Sequence, residues 1–224
     1  MAIPRVFIVR HGETEWSLNG RHTGTTELPL TGNGERRIRA TGRAMVGEDR
    51  LIVPSKLAHI YVSPRKRAQR TLELLQLGCR ERFPWQQEGE RDDEQVRTEA
   101  KTEITAGVRE WDYGDYEGLK SPQIRQQRRE QTGGDGHWDI WTDGCPGGES
   151  PEQATDRMDE VIADIRARFH KPAMEEPSQQ DTAADVLVVA HGHILRAFAM
   201  RWIGKPLQEG PAMLLEAGGV GTLR

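Results

Sequence analysis

A chain of 224 residues with 35 acidic and 31 basic side chains carries a formal net charge of −4 and a pI near 6.0, a balance that argues against nucleic acid as the main partner. No apolar run reaches the length of a membrane span, and Met1-Ala2-Ile3-Pro4-Arg5 leads straight into an apolar stretch, so no signal peptide and a cytoplasmic setting, with the nucleus also open to it, are expected. The apolar share suits one globular domain over 1–224, and Cys79 and Cys145 are expected as two thiols rather than a disulfide.

Val6-Phe7-Ile8-Val9 is a run of β-branched and aromatic residues, the pattern of a strand buried on both faces of a parallel sheet. The spacing predicts a strand over 5–10, ending at Arg10-His11-Gly12. A loop over 11–29, rich in Gly and Thr, is long for a βα connection, and long loops often carry function. A helix follows from 31 or 32 to 46, with Ile38, Thr41, Ala44 and Met45 toward the core. Residues 57–62 read as a second strand. Ser63-Pro64 announces a helix to about 75, with Ser63 as N-cap and Pro64 at the first helical position. Residues 78–100 are polar and charged and read as a surface loop.

A weak strand over 102–108 precedes an aromatic and acidic loop, 109–118. Ser121-Pro122 opens another short helix around Ile124. A Gly-rich loop over 133–148 holds Trp138, Trp141 and Cys145. Ser150-Pro151-Glu152-Gln153 is a capping box, and behind it Ala154, Met158, Val161, Ile162, Ile165 and Phe169 recur at helical spacing. A polar linker over 171–184 leads to a second strand of the first kind, 185–190, ending at His191-Gly192-His193. The helix after it stops near Gly204, and 213–215 and 220–223 read as closing strands. Strands alternating with helices predict an α/β fold: three layers, α/β/α, around a mostly parallel sheet. Residues 111–149 are expected as a lid or insertion rather than a second domain.

Open α/β sheets bind ligands at the carboxyl ends of their strands. Two strands that each end in His-Gly would bring His11 and His191 to one crevice. Arg10 adjoins the first ring, and Arg67 lies in the first turn of a helix whose N-terminus adds donors and partial positive charge. Such a pocket suits a compact dianion, because the planar fork of arginine grips phosphate oxygens in pairs. Ser17, Thr23 and the backbone at Gly192 would add neutral donors. A neutral imidazole can attack phosphorus, while the other, protonated, stabilises the equatorial oxygens. Glu110 sits in an aromatic loop; burial among rings favours the protonated form of a carboxyl group, which a general acid needs. Arginine would neutralise the charge, so no metal or cofactor is expected. The His191-Gly192-His193 spacing also suits zinc, but no second set of carboxylate ligands stands out, and His193 is read as a structural or outer-shell residue.

Arg10-His11-Gly12-Glu13-Thr14 resembles the signature of the histidine phosphatase superfamily, the phosphoglycerate-mutase-like fold. Ser63-Pro64-Arg65-Lys66-Arg67-Ala68-Gln69-Arg70-Thr71, Arg109-Glu110 and Ala190-His191-Gly192-His193 match its other motifs in order. The resemblance implies that His11 is the phosphorylated nucleophile. It further implies that Arg10, Arg67 and His191 complete the phosphate pocket and that Glu110 is the proton donor. Ser17 stands where the family often has Asn. The stretches 109–118, 138–145 and 217–221 look like the fungal sedoheptulose-1,7-bisphosphatase group. That likeness implies a phosphatase for a small sugar bisphosphate, either sedoheptulose 1,7-bisphosphate or fructose 1,6-bisphosphate, with Ser63 and Arg196 on the second phosphate. His22, where that group has Tyr, and Tyr113 are further candidate substrate contacts. A phosphoglycerate mutase is the enzymatic rival, and a phospho-ligand or protein-binding module of the same fold is the non-catalytic one. The segment between Glu110 and His191 is short for a cofactor-dependent mutase, which leaves the site open to water and favours hydrolysis.

Overall fold

The computed structural model describes residues 3–86, 95–175, 183–210 and 213–224. Residues 87–94 of the expected surface loop and 176–182 of the expected linker lie outside the described residues. One sheet organises the fold. Its strands are β1 (Val6–Arg10), β2 (Leu57–Val62), β3 (Lys101–Ile104), β4 (Asp185–Ala190) and β5 (Val220–Leu223), in the order β3-β2-β4-β1-β5. All neighbours are parallel except β5, which runs antiparallel to β1.

The apolar runs of β1 and β4 are buried on both faces, as parallel strands between two helical layers must be. Val6 and Ile8 of β1, with Val186 and Val188 of β4, pack into a core that includes Met158 and Ile162 of one helix and Phe198 of another. Phe7, Val9, Leu187 and Val189 pack on the opposite face against Ile38 and Leu72. The helices are α1 (Glu15–Asn19), α2 (Gly32–Met45), α3 (Lys66–Leu74), α4 (Ser121–Thr132), α5 (Ile140–Asp143), α6 (Pro151–Ile165), α7 (Lys171–Glu175) and α8 (Gly192–Trp202). Helices α2 and α3 cover one face of the sheet, and α6 and α8 the other. Each large apolar side chain taken fully from water contributes about 1.5–3 kcal/mol. No helix among the described residues is long and apolar enough to cross a membrane.

Several elements depart from the sequence reading. Helix α1 occupies part of the expected loop; Thr14 caps it, accepting from Ser17 N. The buried face of α2 is Gly34, Ile38 and Gly42, whereas Ala44 and Met45 are exposed. The two glycines let α2 approach other backbone: a Cβ at Gly34 would sit 2.5 Å from the Glu13 carbonyl, and one at Gly42 2.7 Å from that of Leu75. Ser63 is not the N-cap of α3, which is Arg65; its hydroxyl accepts from Arg65 N at 3.3 Å just ahead of the helix and pairs more closely with His191. The weak strand is shorter than expected and gives way to a 3-10 turn at Ala106–Val108. Residues 213–215 form no strand; Leu214 is 86 % exposed. The capping box at Ser150 is present, with Ser150 and Gln153 each receiving the other's backbone N–H. Trp111, Tyr113, Tyr116, Trp138 and Trp141, all within 111–149, are buried in the same core as α6 and α8.

Candidate active site

Strand register builds the site. Arg10 lies opposite Ala190 across the parallel pair β1–β4, so His11 and His191 leave adjacent strands at the same level. His11 N donates to the Ala190 carbonyl at 2.9 Å. The two rings meet edge to face, centroids 5.1 Å apart and planes at 63°. Ser63, at the end of β2 on the other side of β4, donates its N–H to the Val189 carbonyl. Three neighbouring parallel strands thus end on His11, His191 and Ser63.

Hydrogen bonding fixes both rings. Nδ1 of His11 lies 2.7 Å from the Gly12 carbonyl, which can only accept, so Nδ1 carries the proton and Nε2 keeps its lone pair. Burial, then the guanidiniums of Arg67 and Arg10, hold this imidazole neutral, with a pKa lowered to about 3. His191 is fully buried. Its Nδ1 accepts from Nε of Arg67 at 3.3 Å, which leaves Nε2 to donate to the Ser63 hydroxyl at 2.7 Å. Burial and the neighbouring cations Arg67, Arg65 and Arg10, together with His11, push its pKa well below the ordinary histidine value. The sequence reading expected a protonated ring here; burial beside these cations favours the neutral form instead.

Arg67 is fully buried in the first turn of α3. Besides His191 it donates to the carbonyls of Thr23, Gly24 and Thr26. The same stretch is gripped from its other side by Glu117, whose carboxylate accepts from the backbone N–H of Gly24, Thr25 and Thr26 at 2.8, 3.1 and 2.9 Å. A Cβ at Gly24 would lie 2.5 Å from the Trp111 carbonyl, so only glycine fits this clamp.

Arg10 donates to the Leu215 carbonyl at 2.8 Å, while its buried Nε has no partner. Its guanidinium lies over Gly192, where an added Cβ would come within 3.2 Å. Glu110 is buried at the start of α8: Oε1 accepts from Trp111 N and Ile194 N, both at 2.9 Å, and Oε2 from His193 N at 3.2 Å. Tyr113 and His193 are joined, hydroxyl to Nδ1, at 2.7 Å. His22 packs against both rings and against Trp138. Burial lowers its pKa to about 4, with Glu117 acting upward and Arg196 downward.

These groups enclose a pocket of about 250 Å³, a size for a compact ligand rather than a large one. Buried His11, Glu110 and Tyr113 form its floor; exposed Gly20, Arg21, Leu214 and Glu216 form its mouth. Arg10, Ser17, His22, Thr23, Gly192 and Arg196 also line it. Arg67, His191 and Ser63 do not; they are buried in a cluster against His11. Ser17 spends its hydroxyl on the Thr14 carbonyl and its own helix start. Sequence reasoning missed Arg21 and the clamp residue Glu117, because each is a single charged residue in a long polar stretch. It read His193 as a structural or outer-shell residue; His193 lies in the pocket lining with its Nδ1 on the Tyr113 hydroxyl. The closeness of His193 to His191 was the available signal.

A parallel sheet that sends two histidines from neighbouring strands toward one small cation-rich pocket defines a class: α/β enzymes that act on phosphate esters. The chain belongs to the histidine phosphatase superfamily (branch 1), whose sequence profile matches residues 6–90 and 94–224, and it is a phosphoric monoester hydrolase. It is 33 % identical to the sedoheptulose 1,7-bisphosphatase of Saccharomyces cerevisiae, over 98 % of this chain and 87 % of the yeast protein. It is 36 % identical to an acid phosphatase of Mycobacterium tuberculosis, over 97 % of this chain and 84 % of that one. A solved structure of a Mycobacterium tuberculosis open reading frame product superposes with a TM-score of 0.68 at 34 % identity, covering 98 % of this chain and 90 % of the other.

Proposed function

We propose that this phosphatase hydrolyses a small phosphorylated sugar bearing two phosphates, sedoheptulose 1,7-bisphosphate or fructose 1,6-bisphosphate, through a phosphohistidine at His11. One observation carries the mechanism. The Nδ1–H bond to Gly12 and the neutral state of the ring leave Nε2 of His11 as a free nucleophile on the pocket floor. Nε2 attacks phosphorus and forms the N–P bond as the P–O bond to the sugar breaks. The leaving alkoxide takes a proton from Glu110, whose Oε2 has only one long contact and is the oxygen able to carry it. Water then attacks phosphorus, Glu110 takes back a proton, and inorganic phosphate leaves with His11 restored.

Arg10 lines the pocket with an unused buried Nε, placed to meet charge on the transferring group. Arg67 and Ser63 hold His191 against His11 from behind. Burial and the neighbouring guanidiniums favour the neutral form of His191, whose ring meets that of His11 edge to face and holds it at the pocket floor. The open mouth admits water, which favours hydrolysis over return of the phosphoryl group. The sugar bisphosphate reading draws on the named substrate of the yeast relative and on three arginines in the pocket lining, Arg10, Arg21 and Arg196.

The test is phosphate release from a panel of sugar bisphosphates and monophosphates, with acid-stable and base-stable phosphoprotein compared after rapid quench. The expected result is preference for bisphosphates, a base-stable, acid-labile phosphoenzyme, and loss of both in His11→Ala. Phosphate release that survives His11→Ala overturns the mechanism, and preference for monophosphates overturns the substrate.

A further inference from the structure

Two arginines reach the pocket from different elements, and each is seated on an indole ring. Arg196, on α8, holds its guanidinium carbon 5.1 Å from the centre of Trp141 and spends Nε on the Gly192 carbonyl. Arg21, just after α1, holds its own 5.5 Å from the centre of Trp16. A guanidinium stacked by its face keeps its in-plane N–H groups for an anion, which they meet as a fork. Among the described residues neither arginine has a carboxylate partner. Many other arginines of the chain do: Arg5, Arg65, Arg70, Arg157, Arg168 and Arg201 are all in ion pairs.

The backbone that carries Arg21 is fixed. Its N–H donates to the Trp16 carbonyl and to Asn19 Oδ1, and Arg21 forms an antiparallel bridge with Lys120. Trp16 is backed by Gly118, where an added Cβ would lie 3.0 Å from the ring. The residues just after it, 23–26, are the ones clamped between Arg67 and Glu117. The guanidinium therefore stands preorganised at the mouth, whereas His11 stands at the floor. Ser63, which the sequence resemblance suggested for the second phosphate, is fully buried and spends its hydroxyl on His191.

We propose that Arg21, acting with Arg196, receives the second, non-reacting phosphate of a sugar bisphosphate at the mouth of the pocket and so sets the preference for doubly phosphorylated substrates. The assignment rests on the sugar bisphosphatase reading above.

The experiment compares kcat/KM for a ketose bisphosphate with that for the matching ketose 1-phosphate, in the wild type, Arg21→Gln and Arg21→Lys, with thermal melts of all three. The wild type is expected to favour the bisphosphate. Arg21→Gln is expected to lower the bisphosphate-to-monophosphate ratio at least fivefold, chiefly through KM, and Arg21→Lys to recover part of it. A smaller fall in the ratio overturns the role of Arg21 alone, whereas a wild type with no preference for the bisphosphate overturns the substrate reading and the assignment together. Absence of phosphate release by the wild type from either compound overturns the bisphosphatase reading and the assignment together.

Discussion

The hydroxyl of Ser63 receives a 2.7 Å hydrogen bond from Nε2 of His191, and both groups are fully buried. Because Arg67 donates to the other ring nitrogen, this hydroxyl is the sole acceptor that the His191 N–H has among the described residues. Removing it strands a buried donor, which costs about 1–3 kcal/mol. Ser63→Ala is therefore expected to lower stability by that amount in urea titrations and to reduce kcat for bisphosphates and monophosphates alike. A variant of wild-type stability whose KM rises only for bisphosphates would return Ser63 to the role of a phosphate contact.

The parts of this molecule that hydropathy and periodicity describe were legible in its sequence. Val6-Phe7-Ile8-Val9 and Val186-Leu187-Val188-Val189 read as strands buried on both faces, and the structure pairs them in parallel with His11 and His191 at their ends. The spacing of Met158, Ile162 and Ile165 likewise marked the buried face of α6. What was not legible depends on tertiary approach. Gly34 and Gly42 carry no hydropathy signal, yet they form the buried side of α2, because their value lies in the backbone they let near. Ser-Pro after a strand has the local look of a helix cap, and nothing local reveals that Ser63 faces a histidine 128 positions on. Met213-Leu214-Leu215 has the composition of a strand, but Arg10 binds the Leu215 carbonyl and keeps this stretch at the pocket instead. The neutral state of His191 follows from burial beside Arg67, which only the fold creates.

Acid should weaken the fold well before its carboxylates titrate. Burial holds His11, His22, His59, His170, His191 and His193 below the ordinary histidine value, His11 to about 3 and His22 to about 4. In the unfolded chain these rings take up protons near pH 6.5. As pH falls below that value, the unfolded state therefore binds protons that the folded state refuses, and stability falls; above about 7.5 both states are neutral at these rings and their effect is level. Urea midpoints are expected to drop steadily from pH 7.5 to 5.5. His22→Asn, which removes one such ring, is expected to flatten the slope between about pH 6.5 and 4. A midpoint that holds constant from 7.5 to 5.5 would contradict the burial assigned to these histidines.

The loop that carries Glu110 is pinned on both flanks by one buried ion pair. Glu149 and Arg157, with side chains 4 % and 9 % exposed, meet through two bonds, Nε to Oε1 at 2.9 Å and Nη2 to Oε2 at 2.6 Å. Arg157 also donates to the Arg109 carbonyl; Glu149 donates its backbone N–H to the Asp112 carbonyl and accepts the Asp112 N–H at Oε2, while its own carbonyl accepts from the Trp111 indole. Arg109 and Trp111 flank Glu110, so this pair sets where the proposed proton donor sits. Removing one partner of a buried pair leaves the other charge uncompensated, at about 3–5 kcal/mol. Glu149→Gln is expected to lose stability on that scale, measured by urea unfolding. Its kcat should fall at least tenfold with KM little changed, since the floor of the pocket shifts while the arginines at its mouth do not. Glu149→Gln combined with Arg157→Met removes both charges and should cost less stability than the two single changes added together. Its kcat should stay low, because the bonds to Arg109 remain absent. Full recovery of kcat in the double variant would show that the pair serves stability alone and does not position Glu110.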